Sequence, residues 1–442
     1  MKSFAITLFI LTLAFASQAQ SVPDSVYIST AKALLLANEN LKFEEAMTYF
    51  DPSLGNKISA AILKKGWDVV QTKLGPIKNT GIPRVESNGG GKTVYIPCQF
   101  ENMMLDLKVS LTTDVKALGF LFVGHVDAGA YSLPAYADIN KISKMDIDVK
   151  TGSFTLPGEF VYPKNSTKKL PVVILVHGSG PNDRDESIDA NKPFKDIAYG
   201  LASQGIAVIR YDKRTKVYGM QMAEKNNVTL ENETIQDAIS AIALAKHLDR
   251  VDTNRIYVLG HSLGAMAAPR IAAYAKGQIA GIIMMAGPAR PLEDLILEQI
   301  TYLTSLNPSS GAEKQLEETK KEVAKLKDGS LSPKTPSDQL PLGASANYWL
   351  YLQHYDQVAT VKTLDISILI MQGERDCQVR MTDFDIWKKA LKNNPKEISK
   401  SYPKLNHLFM EGEGKMSTPA EYEVPSHVAP YVIDDIAGFI GK

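Results

Sequence analysis

The feature that most constrains this chain is a pentapeptide and its flanks. Gly260-His261-Ser262-Leu263-Gly264 follows an apolar run at 255–259 and precedes a small-residue run containing Ala265, Ala267 and Ala268. The first run reads as a strand and the second as a helix. A chain that passes from strand to helix within so few residues must turn sharply, and a Cβ at 260 or 264 would crowd that turn. Such a turn forces Ser262 into a strained backbone conformation and lifts its hydroxyl clear of the sheet edge. The spacing therefore predicts a nucleophilic serine.

The surrounding pattern fits a sheet that could carry such a turn. Residues 170–176 form a continuous apolar run, as expected of a strand buried on both faces of a parallel sheet. Similar runs recur at 206–211, 255–259, 279–286 and 366–372, with a weaker one at 399–402. Helical segments at 191–204, 234–248, 263–275, 383–391 and 428–440 separate most of them. Alternation of this kind predicts a mostly parallel sheet with helices on both faces. A strand pair at 145–149 and 154–161 precedes it. An insertion at about 291–362, with helical stretches near 292–305, 312–328 and 344–361, breaks the alternation. Its charged face reads as solvated, and the segment is placed to act as a lid.

A serine hydroxyl needs a base, and the base an orienting acid. In chain order these follow the nucleophile as acid and then base. Of the seven histidines, only His354, His407 and His427 come after Ser262. His354 lies in the insertion and His427 precedes the final helix. His407 sits in a turn after the last strand and is chosen as the base. The turn after 366–372 carries Glu374 and Asp376, and Asp376 is the expected acid with Glu374 its rival. A tetrahedral intermediate also needs two backbone donors. Leu263, just after the nucleophile, and Ser179, in the glycine-containing turn His177-Gly178-Ser179-Gly180 after the first buried strand, are the expected pair.

These motifs carry a resemblance. Val176-His-Gly-Ser-Gly-Pro-Asn-Asp-Arg-Asp185, Gly260-His-Ser-Leu-Gly264, Gln372-Gly-Glu-Arg-Asp376 and Asn406-His407-Leu-Phe409 resemble the α/β-hydrolase superfamily, over residues 144–442. They are most similar to exported bacterial serine carboxylesterases with an extra N-terminal domain. That resemblance implies a Ser262–His407–Asp376 triad acting on small to medium acyl esters without a cofactor. A serine peptidase of the prolyl-oligopeptidase type and a non-catalytic binding protein on the same scaffold are the alternatives. One departure concerns 215–218, which intervene after Tyr211-Asp-Lys-Arg214 where such enzymes often have a glycine-rich turn.

Ahead of this region the grammar differs. Residues 24–75 read as helices, a break follows at Gly89-Gly90-Gly91, and strands are expected over 93–100, 104–112 and 118–123. Helices followed by antiparallel strands make an α+β unit over 22–126. By element order it resembles NTF2-like domains. A linker is expected over 127–143. Lys2, the apolar stretch 4–15 and the small residues near Ala19 read as a signal peptide over 1–19, hence export to the periplasm or medium. No later stretch is apolar enough to span a membrane. Forty-nine basic and 49 acidic residues balance, which argues against nucleic acid as a partner. No zinc, EF-hand, P-loop or dinucleotide motif appears, so no metal is expected. Export would permit a Cys98–Cys377 disulfide, but unpaired thiols are the expectation. Asp183-Arg184-Asp185 reads as a local ion-pair set. A homodimer stays open.

Overall fold

A computed structural model describes residues 22–87, 91–101, 103–125, 131–224 and 228–441. The signal-peptide reading at 1–19 and the Gly89-Gly90 part of the break fall outside the described residues. The chain divides into two compact units between Gly124 and His125.

In the first unit, helices Asp24–Glu39, Phe43–Met47 and Ala60–Leu74 accompany strands β1 (Ile77–Thr80), β2 (Arg84–Ser87), β3 (Gly91–Phe100), β4 (Met104–Thr112) and β5 (Ala117–Gly124). All pairings in this five-stranded sheet are antiparallel, in the order β1-β3-β4-β5 with β2 also on β3. Alternate residues of β4, among them Leu107, Val109 and Leu111, are fully buried, as is Ala31 of the first helix, and they share one core with Leu34, Trp67 and Ile96. One buried face on the sheet and one buried stripe on each helix make it a small α+β unit.

The second unit holds an eight-stranded sheet. Its strands are β6 (Ile142–Thr151), β7 (Phe154–Pro163), β8 (Leu170–Val176), β9 (Ala207–Tyr211), β10 (Val251–His261), β11 (Gly281–Met285), β12 (Ser367–Gly373) and β13 (Glu397–Tyr402). Their spatial order is β13-β12-β11-β10-β8-β9-β7-β6. β6 and β7 form an antiparallel hairpin, β7 lies antiparallel on β9, and the remaining pairings are parallel. β6 opens at Ile142, inside the stretch expected as a linker. Every residue of β8, β9 and β11 is buried, which is why those segments read as apolar runs, that of β9 interrupted by Arg210, which is ion-paired with Glu159 and Asp185. One core lies on each face of the sheet.

From β8 the chain goes to β9 on one side and then returns to β10 on the other. Loops leaving the carboxyl ends of β8 and β10 therefore diverge, and a crevice opens between them. β12 and β13 deliver their own carboxyl-end loops along the same edge. The departure at 215–218 is a helix, Arg214–Glu224, bent at Tyr218.

The insertion folds as helices Leu292–Leu306, Ser310–Lys327, Ala346–Gln353 and Gln357–Lys362. The expected single stretch 344–361 is two helices, because Asp356 caps the second by accepting from the Ala359 N–H at 2.7 Å. Ile296, Leu326, Leu340, Ala346 and Trp349 make a separate small core there. Helix Ser310–Lys327 buries only Thr319, Val323 and Leu326, so its charged remainder faces water as the sequence pattern required.

Candidate active site

The turn at Ser262 is as tight as its sequence demands. Ser262 has φ 53° and ψ −117°, a region costly for a residue with a side chain and held only where the surroundings impose it. A Cβ on Gly260 would sit 2.2 Å from the Gly264 carbonyl oxygen, and one on Gly264 would sit 2.1 Å from that of Val176. Neither position can accept any other residue without backbone movement. The Ser262 N–H is tied to the Met285 carbonyl at 2.9 Å, which fixes the turn against β11.

The expected acid and base, Asp376 and His407, lie on the loops after β12 and β13. His407 Nδ1 is 2.7 Å from Asp376 Oδ2, and both residues are buried. Asp376 Oδ1 accepts the N–H groups of Gln378 (2.7 Å) and Val379 (3.0 Å), and Oδ2 also accepts from Gln372 Nε2 (3.1 Å). A carboxylate held by that many donors has one orientation, and it fixes the imidazole with its other nitrogen free for chemistry. Ser262 and His407 line one cavity of about 190 Å³, together with Ser179 and Leu263. All five residues expected from the sequence thus gather around one space or its immediate support. Glu374 does not join them: it is exposed and accepts from Ser401 Oγ at 2.8 Å. His354 is exposed in the insertion, and His427 faces Asp196 at 3.3 Å.

The loop after β8 is held in a particular orientation. Gly178 passes so close to the nucleophile that a Cβ there would lie 3.2 Å from the Ser262 Cβ. The Gly178 N–H donates to Glu186 Oε1 at 2.6 Å, so it is committed elsewhere. The Gly178 carbonyl accepts from Lys213 Nζ at 2.8 Å and from Asn182 Nδ2 at 3.2 Å. In a trans peptide the following N–H points opposite the carbonyl. The Ser179 N–H therefore points away from Lys213. The Leu263 N–H is the first of its helix and has no intrahelical partner.

Beneath the site lies a charged layer that sequence reasoning missed. His261 Nε2 is 2.9 Å from the His407 carbonyl oxygen, and Nδ1 faces Glu186 Oε2 at 2.9 Å. The second is an ion-pair contact without hydrogen-bond alignment. Facing an acceptor on each side, the ring is stabilised with both protons on. Burial opposes that charge most, but Glu186, the His407 carbonyl and Asp376 together favour it, and the His261 pKa is raised. Burial likewise disfavours the Glu186 anion, yet His261 and the Gly178 N–H hold its pKa low. His177, pushed down to about 4 chiefly by burial, stays neutral. Lys213, 2% exposed, also faces Glu233 at 3.5 Å. Its only sequence signal was a run of charges directly after the buried strand β9.

Asp183, Arg184 and Asp185 brace this loop, Arg184 on Asp212 (3.0 Å) and Asp185 on Arg210 and Lys192. Cys98 and Cys377 are buried free thiols, each in its own unit. Among the described residues no cluster suited to a metal ion and no helix long and apolar enough to cross a membrane occurs.

The sheet order and the strained serine at the switch point define an α/β-hydrolase, and the chain is a serine hydrolase. Residues 168–413 match the family model described as serine aminopeptidase, S33, and the chain belongs to that family. Esterase EstD of Thermotoga maritima is 38% identical over 407 residues, covering 92% of this chain and 93% of that protein. An alignment of that length extends into both units. Among solved structures, Est1E from Butyrivibrio proteoclasticus is 19% identical with a TM-score of 0.45, covering 67% of this chain and 99% of that one. The acylaminoacyl peptidase of Pyrococcus horikoshii is 14% identical with a TM-score of 0.45, covering 76% and 53% respectively.

Proposed function

We propose that the protein is an exported serine carboxylesterase that hydrolyses small to medium acyl esters through Ser262, His407 and Asp376. The carrying observation is the 2.7 Å contact between His407 and Asp376, with His407 and Ser262 on one cavity. Ser262 Oγ attacks the ester carbonyl while His407 takes its proton. The N–H groups of Ser179 and Leu263 receive the oxyanion. As the C–O bond to the alcohol breaks, His407 returns the proton to the leaving oxygen. Water, deprotonated by the same imidazole, then attacks the acyl-enzyme. The carboxylic acid leaves and Ser262 regains its proton. The 38% identity to a named esterase over most of both chains supports ester over amide substrates. Export rests on residues 1–19, and an NTF2-like affinity of the first unit on its element order.

The test is turnover of p-nitrophenyl acetate against aminoacyl p-nitroanilides by the purified protein. Ester turnover should dominate and fall at least ~10³-fold in Ser262→Ala. Preferential anilide cleavage, or an unaffected Ser262→Ala, would overturn the reading.

A further inference from the structure

Next to the cavity that holds Ser262 and His407 lies a larger one, of about 420 Å³. Ser179, Leu263, Leu292 and Leu342 line both. The partition between the two spaces thus includes the residues whose N–H groups face the oxyanion. His407 lines only the smaller one.

Stereochemistry assigns the two spaces. The tetrahedral carbon bears Ser262 Oγ, the oxyanion, the alcohol oxygen and the acyl chain. The alcohol oxygen must lie within reach of His407, because that imidazolium protonates it as the C–O bond breaks. The acyl chain leaves the same carbon in another direction. The space that shares the oxyanion donors but lacks the base is therefore the acyl side. An acetyl group would leave nearly all of it empty, since about 300–1,000 Å³ suffices to enclose a whole small ligand.

The lining narrows the class. Tyr348 is the half-buried aromatic residue of the lining, with Trp349 packed behind it in the insertion's core, and Leu292 and Ala344 add aliphatic surface. Glu233 is the charged group on this wall among the described residues, its carboxylate accepting from Tyr348 Oη at 3.0 Å. An acyl chain ending in its own carboxylate would meet that carboxylate and compete with it for Lys213, which faces it at 3.5 Å. Leu342 stands at the junction with φ 60° and 74% exposure. A large apolar side chain held strained and wet between two cavities is what a bound chain would cover.

We propose that this larger cavity is the acyl-binding site and takes an uncharged acyl group of arylalkanoyl size, its ring against Tyr348. The inference rests on the esterase reading above and names its substrate class: esters of bulky, uncharged carboxylic acids.

The experiment keeps the alcohol constant. The p-nitrophenyl esters of acetate, 3-phenylpropanoate and succinate are compared by kcat/KM. The phenylpropanoate should exceed the acetate by at least ~10-fold, and the succinate should fall below the phenylpropanoate by a similar factor. Ala344→Phe, which fills the cavity from its wall, should cut the phenylpropanoate-to-acetate ratio by ~10-fold or more. Val228→Phe repeats the test from another lining residue should the first variant fold poorly, with thermal unfolding as the control. A wild-type ratio at or below one, or a ratio unmoved by both fillings, overturns the assignment. So does a shift in alcohol preference instead, read with ethyl and benzyl acetates. If no ester is turned over at all, the esterase reading itself has failed; acetate turnover without the acyl preference sinks only this inference.

Discussion

Lys213 is the most informative residue to remove, because it touches no substrate and holds the Gly178–Ser179 peptide directly, its other charge contact being Glu233 at 3.5 Å. Its ammonium donates to the Gly178 carbonyl at 2.8 Å in a site almost closed to water. Hydrogen bonds to charged groups contribute about 1.5–3 kcal/mol. Asn182 and Glu186 still grip the loop in a Lys213→Met variant, so the peptide should tilt rather than flip. If that energy is what aims the Ser179 N–H, kcat should fall ~10- to 150-fold at 1.36 kcal/mol per decade. Losing one oxyanion donor outright, about 10²–10³ in kcat, sets the ceiling. KM should stay within about threefold, since the donor acts mainly on the transition state. The assay is steady-state p-nitrophenyl acetate hydrolysis with active-site titration. A trifluoromethyl ketone, which forms the oxyanion, should lose affinity in parallel with kcat/KM, and the matching methyl ketone should not. Lys213→Gln, which keeps a donor but loses the charge, should recover part of the rate. A kcat within about threefold of wild type beside a lowered melting temperature would refute the reasoning, as would an effect confined to KM.

Asp376→Asn leaves the shape of the acid but no longer fixes the imidazole tautomer, and should lower kcat about 10⁴-fold with KM little changed in the same ester assay. Gly264→Ala drives a methyl into the Val176 carbonyl and should destabilise the fold by about 3 kcal/mol or more, seen as a lowered urea midpoint or insolubility. The His261–Glu186 pair makes stability depend on pH. His261, raised from 6.5, contributes fully below 6.5 and loses its contribution as pH climbs through its folded pKa; Glu186, lowered from 4.5, contributes above 4.5 and loses it as pH falls through its folded pKa. The stability gap between wild type and Glu186→Gln, which still accepts from Gly178, should therefore be widest between pH 4.5 and 6.5 and shrink above 6.5. Urea titrations at pH 5.5 and 9 check this, and a gap that widens with pH counts against it.

What the sequence by itself determined is local or ordered. The elbow at Ser262 was legible because a strand, a sharp turn and a helix are contiguous, and because only glycine fits where backbones nearly touch. β8 and β11 were legible because burial on both faces leaves an unbroken apolar run, and β9 because the ion-paired Arg210 is the one charge within its run. Asp376 and His407 could be picked out as candidates because strand ends follow one another along the chain. What only the tertiary structure decided is whatever depends on the sheet folding back on itself. Asp376 meets His407 and Glu374, two residues away on the same turn, does not, because one side chain enters the interior and the other stays in water. Lys213 meets Gly178 across 35 residues, and His261 meets the His407 carbonyl across 146. Contacts of that separation leave no periodicity to read. The larger cavity is likewise set by how the insertion settles over the sheet edge, and empty space between packed elements has no residue of its own in the chain.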